Sequence, residues 1–315
     1  MRPYASSGLS RGKPFVTVLV VVTLTFFVLH AFSGDIAASL SGNTATAAQI
    51  EVKRHQLGLD KPLVSQYGEW LSHAVRGDLG TSWTTSDSVS DALSARLPVT
   101  LVLAVGATLV SGVLGIAVGT WAAVRRGALD PILQTFVVAG YAFPGFWLAL
   151  VLSSVFAVDL GWFPATGYVP FTESPGDWFS SVFLPITALV LGATAAIAQQ
   201  ARNATVQVLQ ADYVRTLRSR GLTTRRLLVV NVLRNAAPTS LTTMSLWFIG
   251  LLSGTIVVEN VFALPGLGSL ANTATTSRDI PMVMGVMLIM VLLVVAVNLV
   301  LDLAQAWVNP KVRIS

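Results

Sequence analysis

The sequence predicts an all-α membrane protein with six transmembrane helices. Of its 315 residues, 53% are hydrophobic and only 11% are charged, whereas an average soluble domain carries about 25% charged residues. Six uncharged stretches are each long enough to cross a bilayer, which requires about 20 apolar residues. These stretches are residues 14–32, 97–124, 131–158, 178–201, 235–258 and 280–301. The composition therefore favours several membrane spans over one large soluble core.

The distribution of basic residues predicts how the chain crosses the membrane. Lys and Arg resist translocation, so they concentrate in cytoplasmic loops. With the N-terminus inside, the predicted cytoplasmic segments hold 14 of the 20 Lys and Arg residues and the external segments hold six. We therefore expect a multi-pass protein of the plasma membrane with both termini in the cytoplasm. The net charge of +5 belongs to these loops rather than to a nucleic-acid-binding surface.

The predicted organisation follows from these spans. A cytoplasmic tail of residues 1–13 precedes the first transmembrane helix at 14–32, and residues 33–96 form an extracellular helical segment. A five-helix transmembrane core follows at 97–308, and residues 309–315 form a second cytoplasmic tail. The first apolar stretch also has features of a cleavable signal peptide. It is longer than the about 7–15 apolar residues of such a peptide, which favours a retained helix.

The extracellular segment is predicted to contain three helices. Thr46 and Gln49 have the spacing of a capping box, which starts a helix that Gly58 can end. A second helix is expected over residues 62–75, with a proline in its first turn. A third is expected over residues 86–97.

The most informative stretch is a basic loop between the fourth and fifth spans, at residues 210–235. Seven arginines lie in it or just before it, against one acid, Asp212. The seven are Arg202, Arg215, Arg218, Arg220, Arg225, Arg226 and Arg234. Gly221 can adopt the left-handed conformation that ends a helix. The threonines that follow can cap a new short helix over residues 225–235, so the pattern predicts a helix, a glycine turn and a short helix.

Short motifs in this loop resemble a known family. They are Asp212-Tyr-Val-Arg-Thr216, Gly221-Leu222, Arg225-Arg226 and Leu233-Arg-Asn235. Together they resemble the signature loop in membrane subunits of binding-protein-dependent ABC importers, most closely the dipeptide, oligopeptide and nickel branch. The sequence departs from the family pattern at Pro238, which lies one residue early, and at Asn231, where histidine is common.

The resemblance implies a type-I ABC importer permease fold, in which this loop supplies a coupling helix that docks on a separate ATPase subunit. The residues it assigns to coupling are Asp212, Tyr213, Arg215, Arg218, Gly221, Leu222, Arg225, Arg226, Leu233, Arg234 and Asn235. The implied partners are a second homologous permease, two ABC ATPase subunits that hold ATP and Mg, and an extracellular solute-binding protein. The implied substrates are di- or oligopeptides, with nickel or another small solute as the alternative.

The predicted short helix after Gly221 mixes apolar and basic side chains. We expect Leu222, Leu227, Leu228 and Val229 to anchor it in a groove of the ATPase, and Arg225 and Arg226 to orient it.

Five residues in or near the spans are candidates for structural or pathway roles. They are Pro144, Glu259, Pro265, Gly266 and Asp302. The proline at 144 lies inside the third predicted span and is expected to kink it. Acids within a membrane are costly and commonly functional. Glu259 and Asp302 lie near the ends of their spans, which slightly favours hydrogen-bonded structural roles, and both match family positions, as does Leu264-Pro-Gly-Leu-Gly268.

Other functional classes lack their characteristic motifs in this sequence. There is no G-x-x-x-x-G-K-[ST] phosphate loop and no cysteine, and the three histidines have no metal-ligand spacing. We therefore assign no catalytic, metal-binding or cofactor-binding residue to this chain. A self-contained secondary transporter would need broken-helix repeats or charged residues at the bilayer centre. A membrane enzyme would need a nucleophile–base cluster, and neither pattern is found.

Overall fold

The structure is a computed structural model. It describes residues 13–308 except 33, 43, 126–130, 133, 134, 136, 138, 139, 141, 142, 224 and 225. The described chain contains α-helices, two π-helical segments and no β-strand beyond one isolated bridge. The α-helices are α1 (Lys13–Phe32), α2 (Ile36–Ser41), α3 (Ala47–Gln56), α4 (Leu63–Ala74), α5 (Val89–Val124), α6 (Gly145–Leu152), α7 (Pro175–Gln210), α8 (Asp212–Ser219), α9 (Leu233–Val261), α10 (Leu267–Thr276) and α11 (Ile280–Val308). The π-helical segments are Ser153–Asp159, which continues α6, and Leu227–Val232, which leads into α9.

Five helices in the described part of the chain are long and apolar enough to cross a membrane: α1, α5, α7, α9 and α11. They correspond to five of the six predicted spans. The first half of the remaining span lies largely outside the described residues, and its second half forms the shorter apolar helix Gly145–Asp159. The structure is therefore that of an all-α polytopic membrane protein.

The proline of the third predicted span lies directly before a helix rather than inside one. Pro144 is extended, with φ −60° and ψ 139°, and α6 starts directly after it. Proline cannot donate the backbone hydrogen bond that a helix interior needs, but it is tolerated where a helix begins. The predicted kink is thus a helix start.

Two of the three helices predicted between the first two spans are confirmed. The Thr46 N–H donates to Gln49 Oε1 (2.8 Å), and the Gln49 N–H donates to Thr46 Oγ1 (3.4 Å), which closes the capping box at the start of α3. Gly58, with φ +67°, follows the end of that helix. α4 begins directly after Pro62 and ends at Ala74.

The third predicted helix is not a separate element. Residues 89–97 are the first turns of α5, which runs without a break from Val89 to Val124 through Pro98. Its start is fixed by Ser88, whose Oγ accepts a hydrogen bond from the Asp91 N–H (3.3 Å). A serine side chain in this position satisfies one of the free N–H groups of a first helical turn.

The chain divides into two compact units. The first, here called the N-terminal unit, comprises residues 1–98 and 269–295, and the second, the core unit, comprises residues 99–268 and 296–315. In the N-terminal unit, Val22 and Phe26 of α1 pack with Met284 of α11. Tyr67 of α4 joins this cluster, and its hydroxyl lies 2.6 Å from Thr23 Oγ1. The short helices are thereby attached to a membrane span.

The central helix of the core unit is α7. In the most hydrophobic part of this helix, 72% of the residues are buried, against 39% or less in the other four long apolar helices. Gly115 and Gly119 of α5 allow that helix to approach α7 closely, since a Cβ on Gly115 would lie 2.7 Å from Ile197 Cβ and a Cβ on Gly119 would lie 2.9 Å from Ala201 Cβ. Close backbone packing of this kind stabilises helix pairs in a membrane.

Candidate functional site

The basic loop that follows α7 contains a short helix before its glycine. α7 ends at Gln210, Ala211 is extended (φ −67°, ψ 143°), and α8 then runs from Asp212 to Ser219. Gly221 has φ +79°, as predicted for a left-handed turn. The Leu222 N–H donates back to the Leu217 carbonyl oxygen (3.3 Å), which closes the turn. The loop therefore presents one short helix between two sharp changes of direction.

This short helix is not the one that the sequence predicted. The prediction placed it after the glycine, at residues 225–235, whereas the isolated helix in the structure is α8, before the glycine. After Gly221 the described helix begins at Arg226 and continues through the π-helical segment into α9. No Gly or Pro occurs between residues 222 and 237 to separate a short helix from the span. Thr224 and Arg225 lie outside the described residues.

A small hydrophobic cluster holds the loop together. Val214 of α8 and Leu227 and Val232 of the π-helical segment are fully buried, and Leu217 and Leu228 pack against them at the edge. Burying one such side chain contributes roughly 1.5–3 kcal/mol. The prediction that Leu227 anchors the helix on an ATPase is therefore wrong, because this side chain is buried in the cluster and is not available to a partner. The cluster packs α8 against the π-helical segment that leads into α9, the fifth predicted span.

The outward face of α8 is polar and basic. Asp212, Tyr213 and Arg215 are exposed, as is Arg220, which follows the helix. The Arg215 guanidinium lies 3.8 Å from the Asp212 carboxylate, with the two side chains 78% and 99% exposed, so this pair contributes little to stability. Arg226, Arg234 and Asn235 are also exposed, whereas Leu222 and Leu233 are half-buried. The backbone of Arg218 belongs to α8.

The predicted acid of the fifth span is fully buried in the core unit. The hydroxyl of Thr100, in α5, donates to Glu259 Oε1 (2.7 Å) and accepts a hydrogen bond from the Leu267 N–H (2.8 Å). The backbone carbonyl of Glu259 accepts from the Leu264 N–H (2.8 Å). Glu259 thus joins α5, α9 and the segment that leads into α10. This geometry fits the predicted hydrogen-bonded structural role.

The segment Leu264–Gly268 wraps closely around this carboxyl group. A Cβ on Gly266 would overlap the Glu259 carboxylate, and one on Gly268 would lie 2.8 Å from Oε2. Pro265, next to Gly266, is exposed. The two glycines are therefore required for close approach to Glu259. Asp302, the other predicted acid, is exposed on α11, so the two acids have different environments.

The sequence analysis missed a second buried acid, Asp279, in the N-terminal unit. Asp279 is 2% exposed. Its Oδ1 accepts from the Trp83 N–H (3.1 Å) and the Met282 N–H (3.4 Å), and its Oδ2 accepts from the hydroxyls of Ser82 and Thr84. It therefore caps the start of α11 and fixes the segment before α5. An Asp directly before a long apolar run is a known helix-start signal that identifies this residue from sequence.

Comparison with known families decides the class of the chain. The family described as "binding-protein-dependent transport system inner membrane component" matches residues 115–314, and the N-terminal family of the same membrane components matches residues 11–104. The chain belongs to this family. It is a permease component of an ABC importer, as the motifs of the basic loop indicated.

Close relatives of this permease cover almost its whole length. A permease protein of Brucella abortus, named for a peptide transport system, is 39% identical over 297 residues, which is 94% of this chain and 95% of that one. The glutathione transport system permease protein GsiC of Escherichia coli is 37% identical over 298 residues, with the same coverage.

A solved structure shares the fold of the permease. The inward-facing MetNI methionine ABC transporter matches with a TM-score of 0.52 and 19% identity, over 66% of this chain and 94% of that one. At this identity the likeness concerns the fold, and it confirms the expected type-I importer architecture.

Proposed function

We propose that this chain forms, with a second homologous permease, the membrane pathway of an ATP-driven importer for di- or oligopeptides. The observation that carries the proposal is the near-complete match to relatives named for peptide and glutathione transport, since glutathione is itself a tripeptide. An extracellular solute-binding protein would deliver the substrate to the segment between the first two spans, and two separate ATPase subunits would hold ATP and Mg.

Within this importer we propose α8 as the element that docks on an ATPase subunit. Its exposed face offers Tyr213 and Arg215, an aromatic and a basic side chain of the types that dominate binding energy at interfaces. Its buried Val214 packs with Leu227 at the base of the fifth span. A force applied to the outer face is therefore transmitted to both α7 and α9. This is the mechanical connection that alternating access requires when ATP draws the two ATPase subunits together.

The substrate class is tested by transport. Deleting the gene should abolish uptake of labelled short peptides and leave nickel accumulation unchanged, and the wild-type gene should restore uptake. A nickel defect with normal peptide uptake would instead support the alternative substrate. Normal peptide uptake together with normal nickel accumulation in the deletion strain would contradict the proposed importer.

The proposed orientation is tested by labelling single cysteines, which this cysteine-free chain permits. Ser65 on α4 and Ser219 on α8 are both exposed. In intact cells an impermeant thiol reagent should label Ser65→Cys only, and permeabilisation should add Ser219→Cys. Labelling of Ser219→Cys alone in intact cells would reverse the topology and rule out α8 as a cytoplasmic docking helix.

A further inference from the structure

An apolar cleft, here called the inner cleft, lies in the core unit between α5 and the segment that includes the start of α9. Its volume is about 680 Å³, within the range of about 300–1,000 Å³ typical of ligand pockets. Leu109 and Val113 on one side and Leu233 and Met244 on the other contribute to its walls. Val113 is 69% exposed, so the cleft is open to the protein surface.

One end of the inner cleft is flanked by cations and an aromatic ring. Val124, the last lining residue of α5, is followed by the exposed Arg125, and Arg226 precedes the lining residue Leu228 by two positions. Trp121 lines the cleft one turn before Arg125 and is itself exposed. Tryptophan is enriched at both membrane–water interfaces, and basic residues are enriched on the cytoplasmic side. This end of the cleft thus has the chemistry of a headgroup region.

These features distinguish between possible occupants. A peptide would bring backbone N–H and C=O groups against walls that offer them almost no hydrogen bonds, which is costly in an apolar site. A second permease helix would match the apolar walls, but acids that could pair with Arg125 and Arg226 are rare in transmembrane helices. A phospholipid matches both the apolar walls and the cationic end, because its acyl chain is apolar and its phosphate is anionic.

We propose that the inner cleft binds an anionic phospholipid, with the phosphate beside Arg125 and Arg226 and an acyl chain between α5 and α9. Basic pockets between membrane helices on the cytoplasmic side bind anionic headgroups in this manner. The inference rests on the proposed function only in assigning the cationic end to the cytoplasmic leaflet.

The test is lipid retention by the intact transporter complex, measured by native mass spectrometry with phosphatidylglycerol and phosphatidylcholine added at equal concentration. The wild type should retain phosphatidylglycerol preferentially. Arg125→Gln and Arg226→Gln should each weaken that binding roughly fivefold, the equivalent of about 1 kcal/mol for one basic residue. The control is Arg76→Gln, which removes an exposed arginine of the N-terminal unit and should have no effect.

A second pair of variants tests the acyl-chain position. Ala117 lines the cleft and is exposed, whereas its neighbour Val118 is exposed but does not line it. Ala117→Phe should remove the bound phospholipid and Val118→Phe should not. The proposal is overturned if both retain phosphatidylglycerol equally. It is also overturned if Ala117→Phe keeps the lipid but loses the second permease, which would make the cleft a subunit interface.

Failure of this inference is distinguishable from failure of the proposed function. Arg125 lies outside the coupling loop, so the ATPase subunits should co-purify with Arg125→Gln at the wild-type level. Loss of lipid preference with normal ATPase association supports the lipid site. Unchanged lipid preference with normal association contradicts the site and leaves the importer function intact.

Discussion

The turn at Gly221 provides the sharpest test of how α8 is oriented. Its φ of +79° is a conformation that L-amino acids with branched side chains adopt only under strain, and no described heavy atom lies within 4 Å of an added Cβ. A substitution there acts through the backbone and not through a clash. Gly221→Val should therefore cost about 1–3 kcal/mol, equivalent to a shift of roughly 5- to 150-fold in the population of the observed turn.

A matched variant separates backbone strain from the mere presence of a side chain. Asn tolerates the left-handed region far better than Val, so Gly221→Asn should behave nearly as the wild type. We expect Gly221→Val to insert into the membrane normally but to lose ATPase association or transport. The assays are co-purification of the ATPase subunits and binding-protein-stimulated ATP hydrolysis in reconstituted complexes.

Two results would refute this reasoning. Equal loss in Gly221→Val and Gly221→Asn would show that the side chain, and not the turn, disturbs the loop. Normal stimulation and transport in Gly221→Val would show that the orientation of α8 does not control coupling.

Two further predictions concern the buried acids. Asp279→Asn replaces an acceptor oxygen that faces two hydroxyls with an amide donor. It should therefore lower the free energy of unfolding by about 1–3 kcal/mol. The control is Asp87→Asn, at an exposed position, and equal unfolding temperatures of the two variants in detergent would contradict the role of Asp279. Gly266→Ala should lower the free energy of unfolding by about 1–3 kcal/mol, because the added Cβ overpacks against the carboxyl of Glu259. The control is Gly250→Ala, where an added Cβ meets no described atom within 4 Å, and it should unfold at or above the wild-type temperature.

The elements that could be predicted from sequence are those determined over a few residues. The capping box at Thr46 and the positive φ of Gly58 and Gly221 depend on the local chain, and the structure reproduces them. The long apolar helices follow from composition, because a bilayer requires hydrogen-bonded apolar segments of a fixed minimum length.

The elements that were missed depend on contacts between distant residues. The break at Ala211 has no sequence signal, since alanine strongly favours helix. The burial of Leu227 depends on its contact with Val214, thirteen positions earlier, and periodicity cannot distinguish an inward leucine from a docking one. Glu259 was correctly singled out, but its hydrogen bond to Thr100 joins residues 159 positions apart.

The length of α7 has a mechanical consequence. Its 36 residues extend over about 54 Å, against about 30 Å for the hydrocarbon layer, so one continuous helix is long enough to extend beyond the bilayer on both sides. A tilt of about 10° would displace one end by roughly 9 Å relative to the other, from the length given by the helical rise. Pro185 removes one backbone hydrogen bond within this rod and is the position where it bends most easily. If α8 docks on an ATPase subunit as proposed, a displacement of α8 would move the part of α7 between α8 and Pro185 as one body, and the helix would bend at Pro185.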